Sequence, residues 1–127
     1  MIPCVRVKDG VQFKISPGGI RILAALDHAA QIIAHDITIT SGADGVHSGP
    51  EDPHFRGDAY DNRTHDLPDP QLALRAVQDF LGDRFFSWIE DAGTDNEHMH
   101  TQVAKGTVYP PPALTVQPLS VDQSTQV

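Results

Sequence analysis

At residues 54–61 the chain reads HFRGDAYD, the pattern H-x-x-G-x-A-x-D, which begins with His54 and ends with Asp61. A later stretch, EHMH, begins with Glu97 and ends with His100. Two imidazoles and one carboxylate with an open fourth position form the protein part of a catalytic zinc site. A glutamate beside a metal-bound water can act as its general base. The two stretches together therefore predict a hydrolytic zinc centre.

The residues before this pattern predict a strand region, a helix and a buried strand. Residues 5–15 alternate loosely around a turn signal, which favours a small hairpin or an extended arm. Ser16-Pro17 is a typical helix start, and apolar residues at helical spacing follow over residues 20–35. The β-branched residues 37–40 predict a buried strand, and the Gly- and Pro-rich residues 41–53 predict a long loop.

The residues after the pattern predict an α+β fold. A strand is expected to begin at residues 59–61, and a helix to run from Asp69 to Gly82. Residues 85–89 and 97–103 predict two further strands. Three aromatic side chains of this region are expected in the core: Phe85, Phe86 and Trp88. We therefore expect a small antiparallel sheet with two main helices packed on it.

The three candidate ligands lie on separate predicted segments of the chain. His54 would lie at the end of the long loop, Asp61 on the next strand and His100 on the last one. Side chains on a strand alternate between its faces, so His98 and His100 share a face whereas Glu97 and His100 point apart. Two alternatives follow: either Glu97 lies at a bend before the strand, as the preceding turn residues favour, or His98 is the ligand.

Composition and charge exclude several classes of function. The chain has 127 residues and a net charge of −8, with no run of basic residues, which argues against binding to nucleic acid. Cys4 is the single cysteine, so neither an intrachain disulfide nor a thiolate-rich zinc site is expected. We predict one domain over residues 1–106 and an extended or disordered tail over residues 107–127, which are rich in Pro, Ser and Gln. The oligomeric state is left open.

The start of the chain carries no secretory signal pattern, and no apolar run is long enough to span a membrane. These features predict synthesis in the cytoplasm and no membrane partner. A substrate in the cell wall would then require separate delivery of the protein.

The two motifs resemble those of the LAS-type zinc peptidases, which have the Hedgehog/DD-peptidase fold. The signature of that family is S-x-H-x-x-G-x-A-x-D followed by E-x-x-H, and residues 39–42 resemble the I-T-S-G segment that precedes it there. The resemblance covers roughly residues 16–103. It implies a zinc-dependent peptidase that acts on peptidoglycan stem peptides, either as a D-Ala-D-Ala carboxypeptidase or as an L-Ala-D-Glu endopeptidase.

Carried over by position, the resemblance implies the role of each site residue. It makes His54, Asp61 and His100 the zinc ligands and Glu97 the general base. Three residues near the motifs are candidates for binding the substrate or stabilising the tetrahedral intermediate: His47, Arg56 and His98.

The chain also departs from the family pattern. Asp52 replaces the serine of the first motif, and Met99 replaces the aromatic residue that usually precedes the last histidine. The arginine expected after the I-T-S-G segment is absent, and Arg56 and Arg63 are the nearby cations that could substitute for it. Two other functions stay open: a non-catalytic metal-binding module of the same fold, such as a phage structural component, and a different metallohydrolase.

Overall fold

Five strands and two long helices make up the part of the chain that the computed structural model describes, residues 2–44 and 52–111. The elements in chain order are β1 (Val5–Val7), α1 (Pro17–Ile33), β2 (Ile37–Ser41), α2 (Pro53–Arg56), β3 (Ala59–Arg63), α3 (Pro70–Leu81), β4 (Phe85–Glu90) and β5 (His98–Val103). A short 3-10 turn, Gly82–Arg84, joins α3 to β4. No helix of these residues is long and apolar enough to cross a membrane.

Local capping residues begin both long helices, as the sequence predicts. The Ser16 hydroxyl accepts a hydrogen bond from the Gly19 N–H (2.9 Å) at the start of α1. The Asp69 carboxylate accepts one from the Leu72 N–H (3.1 Å) at the start of α3. A proline follows each cap, where its missing N–H costs nothing. The α3 helix ends before Gly82, as expected, and α1 ends at Ile33.

The sheet has the order β1-β2-β3-β5-β4 and is antiparallel except for its first pair. The predicted α+β class, with two main helices on a small sheet, is confirmed. The expectation of a hairpin over residues 5–15 is wrong, because β1 pairs in parallel with β2, with Val5 opposite Ile37. A parallel pair needs a long crossover, which α1 provides. The turn at Gly10 does form, but no strand follows it before α1.

The two long helices cover one face of the sheet, and no long helix of the described residues covers the opposite face, which we call the open face. The α1 helix packs against α3, β3 and β5, and α3 packs against β4. The core between these layers is mostly aliphatic, and its largest fully buried members include Tyr60, Ile22, Leu26, Ile37, Ile39 and Met99. The open face of β3, β4 and β5 is where the polar residues of the two motifs lie.

One expectation about the core is wrong in part. Phe85 is buried, but Phe86 and Trp88 are 49% and 37% exposed. Neighbouring positions of a strand point to opposite faces, and only one face of β4 is covered by a helix. Phe86 faces away from that helix with Trp88, whose ring lies 4.6 Å from the ring of His100.

Candidate metal centre

His54 lies on α2, a single helical turn, rather than in the loop that the sequence predicts. The Asp52 carboxylate caps this turn by accepting a hydrogen bond from the His54 N–H (2.9 Å). Serine and aspartate are both preferred helix caps, so Asp52 can cap this turn as a serine would. Gly57 ends the turn with a φ of 84°, and a Cβ there would lie 2.3 Å from the Lys14 carbonyl oxygen. Glycine is therefore required where the chain turns into β3.

Three ligand atoms converge where α2 meets the open face of the sheet. His54 Nε2 lies 3.2 Å from His100 Nδ1 and 3.3 Å from Asp61 Oδ1. Asp61 and His100 stand opposite each other on β3 and β5, with 2.8 Å between Oδ1 and Nδ1. Ligands bound to tetrahedral zinc at about 2.0–2.1 Å stand roughly 3.3–3.4 Å apart. The group of His54, Asp61 and His100 could therefore bind a metal ion.

The hydrogen bonds around the two imidazoles point their lone pairs into this group. His54 Nδ1 lies 3.1 Å from the carbonyl oxygen of Gly42, which can only accept, so Nδ1 carries the proton and Nε2 is left as an acceptor. His100 Nε2 lies 2.8 Å from the side-chain oxygen of Gln102, which leaves Nδ1 as an acceptor. Three acceptor atoms then face one another, an arrangement that a shared proton or a metal cation stabilises.

The charge of the group also suits a cation. Burial raises the pKa of the Asp61 carboxyl, but His100 and His54, which donate to it and attract it when their rings are protonated, outweigh burial and hold that pKa well below its usual range. The two histidines are both 7% exposed, so water screens the carboxylate weakly. Asp61 is therefore a charged, largely desolvated carboxylate that could bind a cation.

His98 lies beside the group but is not a member of it. Its Nδ1 faces the Asn96 carbonyl oxygen (2.7 Å) and its Nε2 faces Glu90 Oε1 (2.9 Å), with Asp61 Oδ2 at 3.8 Å. Burial lowers the pKa of His98, but these acceptors and charges outweigh it and raise the pKa above 6.5. Acceptors at both ring nitrogens favour the imidazolium form, which cannot bind a metal.

Glu97 precedes β5 at the end of a turn, where the sequence predicts a bend. Its carboxylate accepts hydrogen bonds from the Gly93 N–H (2.9 Å) and the Thr64 hydroxyl (2.5 Å). These two bonds hold the pKa of the carboxyl below its usual range despite some desolvation. Glu97 is therefore ionised, and its carboxylate is engaged by neighbours other than the three metal-binding side chains.

A cleft of about 370 Å³, which we call the Arg63 cleft, connects Glu97 with the metal group. Its walls include Asp61, Glu97 and His98, and also Lys8 and Arg63. Within the described ranges, the side chains of Lys8 and Arg63 make no hydrogen bond or ion pair. The cleft therefore offers two positive charges next to one wall of the metal group.

The remaining predicted site residues lie elsewhere. Arg56 pairs with Asp58 (Nε to Oδ2, 3.4 Å) and lines a second cleft of about 470 Å³, together with Asp52 and Gln102. His47 lies outside the described residues, as does most of the predicted tail. The sequence reasoning missed Gln102, although its spacing of two residues from His100 places it on the same face of β5.

No protein-family model, curated protein or solved structure matches this chain. The resemblance to the LAS-type peptidases therefore stays a prediction from the motif residues. The candidate metal centre rests on the geometry of the chain's own side chains.

Proposed function

We propose that this protein is a zinc-dependent peptidase that hydrolyses peptide bonds in the stem peptides of bacterial peptidoglycan. The observation that carries the proposal is the convergence of His54 Nε2, Asp61 Oδ1 and His100 Nδ1 to within 2.8–3.3 Å of one another, in a group that could hold a metal ion. The Arg63 cleft supports it, because one continuous space reaches both Asp61 and Glu97. Zinc is the metal that best fits two imidazoles and one carboxylate with a position left open.

Each residue then has a defined task. Zinc held by His54, Asp61 and His100 would make bound water acidic and polarise the substrate carbonyl. Glu97 accepts the proton of the attacking water and passes it to the leaving amine nitrogen. For this, its carboxylate gives up the hydrogen bond from the Thr64 hydroxyl and keeps that from the Gly93 N–H. The positive charge of His98 stabilises the oxyanion of the tetrahedral intermediate.

The sequence has no arginine directly after β2 to make a cationic contact with the substrate. Arg63 and Lys8 supply that contact instead. Both line the cleft that contains Asp61, whereas Arg56 lines the second cleft and pairs with Asp58. Stem peptides carry free carboxylates close to the bonds in question, and an unpaired guanidinium binds a carboxylate through two parallel hydrogen bonds. We therefore assign substrate binding to Arg63 and Lys8 rather than to Arg56.

Metal analysis and digestion of purified muropeptides test this proposal together. We expect about one zinc per chain, as three protein ligands and one water require, and a shortened stem peptide by mass spectrometry. His54→Ala should lose both metal and activity, and Glu97→Ala should keep the metal and lose the activity. His28→Ala is the matched control, since His28 packs on Phe80 outside the centre. A wild-type protein that binds zinc but cleaves no stem peptide would refute the peptidase.

A non-catalytic metal-binding module is the second candidate function. It is favoured by the hydrogen bonds that hold the Glu97 carboxylate against Thr64 and Gly93, because a general base has to reach the attacking water. Zinc binding that survives in Glu97→Ala, with no peptide cleaved by either protein, is the outcome that this alternative predicts.

A further inference from the structure

The Gln102 side chain has a fixed orientation next to the metal group. Its Oε1 lies 2.8 Å from His100 Nε2, and its Nε2 donates to the Val103 carbonyl oxygen at 3.1 Å. A carbonyl oxygen accepts only, so the amide nitrogen must face Val103 and the amide oxygen must face His100. The oxygen in turn requires a proton on His100 Nε2.

A neutral imidazole carries one proton on its ring nitrogens. Two neighbours of His100 favour different nitrogens for this proton. The Asp61 carboxylate lies 2.8 Å from Nδ1 and would hold the proton there through a charge-assisted hydrogen bond. That tautomer blocks the nitrogen that faces His54 Nε2 and Asp61 Oδ1, which is the one placed to bind the metal. The oxygen of Gln102 favours the opposite tautomer, with the proton on Nε2 and the lone pair on Nδ1.

We propose that Gln102 is a positioning residue that commits His100 to metal binding through Nδ1. It acts from outside the metal group by holding the Nε2 proton and the plane of the ring. Neighbours of this kind typically change metal affinity without contacting the ion. The inference rests on the metal centre of the proposed function and is independent of whether the protein cleaves peptides.

Two substitutions separate this role from a merely structural one. Gln102→Met keeps the size of the side chain and removes the acceptor, whereas Gln102→Glu keeps an acceptor at the same reach. We expect Gln102→Met to raise the zinc dissociation constant by roughly 10- to 100-fold, which is the usual effect of losing such a partner. Gln102→Glu should bind zinc at least as tightly as the wild type. Gln78→Met is the control, because the Gln78 amide bonds to the Ser87 carbonyl oxygen away from the metal group.

The position of the proton on the His100 ring is a second measurement. A substitution that changed only the stability of the protein would not alter it. Nitrogen-15 NMR of metal-free protein, at a pH high enough for the His100 ring to be neutral, should find its proton on Nε2 in the wild type and in Gln102→Glu. In Gln102→Met it should move to Nδ1.

Three results would overturn the inference: an Nδ1 proton in the wild type, an unchanged tautomer in Gln102→Met, or wild-type zinc affinity in Gln102→Met. If Gln102→Met does not fold, the wild type and Gln102→Glu still decide it. A failure of muropeptide cleavage alone would refute the proposed peptidase and leave this inference standing.

Discussion

The protonation of His100 links metal affinity to pH. Burial lowers its pKa, but hydrogen bonds to Asp61 and Gln102 outweigh burial and raise the pKa above 6.5. Below that pKa a proton on Nδ1 has to leave before a metal can bind, whereas above it the nitrogen is free. We expect zinc affinity to be constant at higher pH and to fall by about tenfold per pH unit below the His100 pKa. Competition titrations with a chelator at several pH values measure this, and a flat profile would contradict it.

The Thr64 hydroxyl helps to set the pKa of the Glu97 carboxyl. The hydrogen bond from the Gly93 N–H and then that from the Thr64 hydroxyl lower the pKa of Glu97. Thr64→Val keeps the shape of the side chain and removes the second bond, so the pKa of Glu97 should rise part of the way towards 4.5. Carbon-13 NMR titration of the Glu97 carboxyl measures the change.

Thr101→Val is the matched control for that titration, since the Thr101 hydroxyl bonds to Ser87 instead. An unchanged pKa of Glu97 in Thr64→Val would mean that the Gly93 N–H alone holds the carboxylate. If Glu97 is the general base, the acid limb of the activity profile should move with its pKa.

Single residues of the centre were predictable only as far as their chemistry is local. His54, Asp61, Glu97 and His100 can be selected because their types and spacing form a known ligand pattern. Gln102 could not be assigned a role, because its value depends on the tautomer of one neighbour and the backbone carbonyl of another. Which cations face the metal group depends on contacts between strands, and those contacts cannot be predicted from the local sequence.

The start of α1 should matter more to stability than the start of α3. Both caps accept one backbone hydrogen bond, and losing such a bond costs about 0.5–2 kcal/mol. Ser16 in addition donates its hydroxyl hydrogen to the Gly57 carbonyl oxygen (2.9 Å) and Asp58 Oδ1 (2.6 Å), which tie α1 to the turn between α2 and β3. We therefore expect Ser16→Ala to lower the free energy of unfolding by more than Asp69→Ala does, measured by urea denaturation. Equal losses would show that the link to the turn contributes nothing.

At the scale of elements, features with local signals were predicted, whereas the strand pairing and the exposure that depend on partners far along the chain were not. The caps at Ser16 and Asp69 and the glycine after α3 identify the helices from a few adjacent residues. The pairing of β1 with β2 depends on the whole crossover helix between them. The exposure of Trp88 likewise depends on which face of β4 the helix α3 covers.

A bound metal should stabilise the whole molecule, because it joins α2, β3 and β5 and has no equivalent site in the unfolded chain. At a free zinc concentration one hundred times the dissociation constant, the expected gain is about 2.7 kcal/mol. Thermal unfolding followed with increasing zinc should give a rising midpoint, which a chelator reverses. His54→Ala should show no such rise, and an equal rise in that variant would place the metal elsewhere.

The candidate ligands of the centre stand far apart along the chain: Asp61 and His100 are 39 positions apart, and His54 and His100 are 46 positions apart. Their meeting requires β3 and β5 to pair and α2 to dock, and non-local contacts of this kind slow the folding of a domain. An incompletely folded copy contains the same imidazoles and carboxylate but does not bring them together. A metal bound at this centre would thus be confined to fully folded molecules, and its occupancy would measure how many chains in a preparation have completed their sheet.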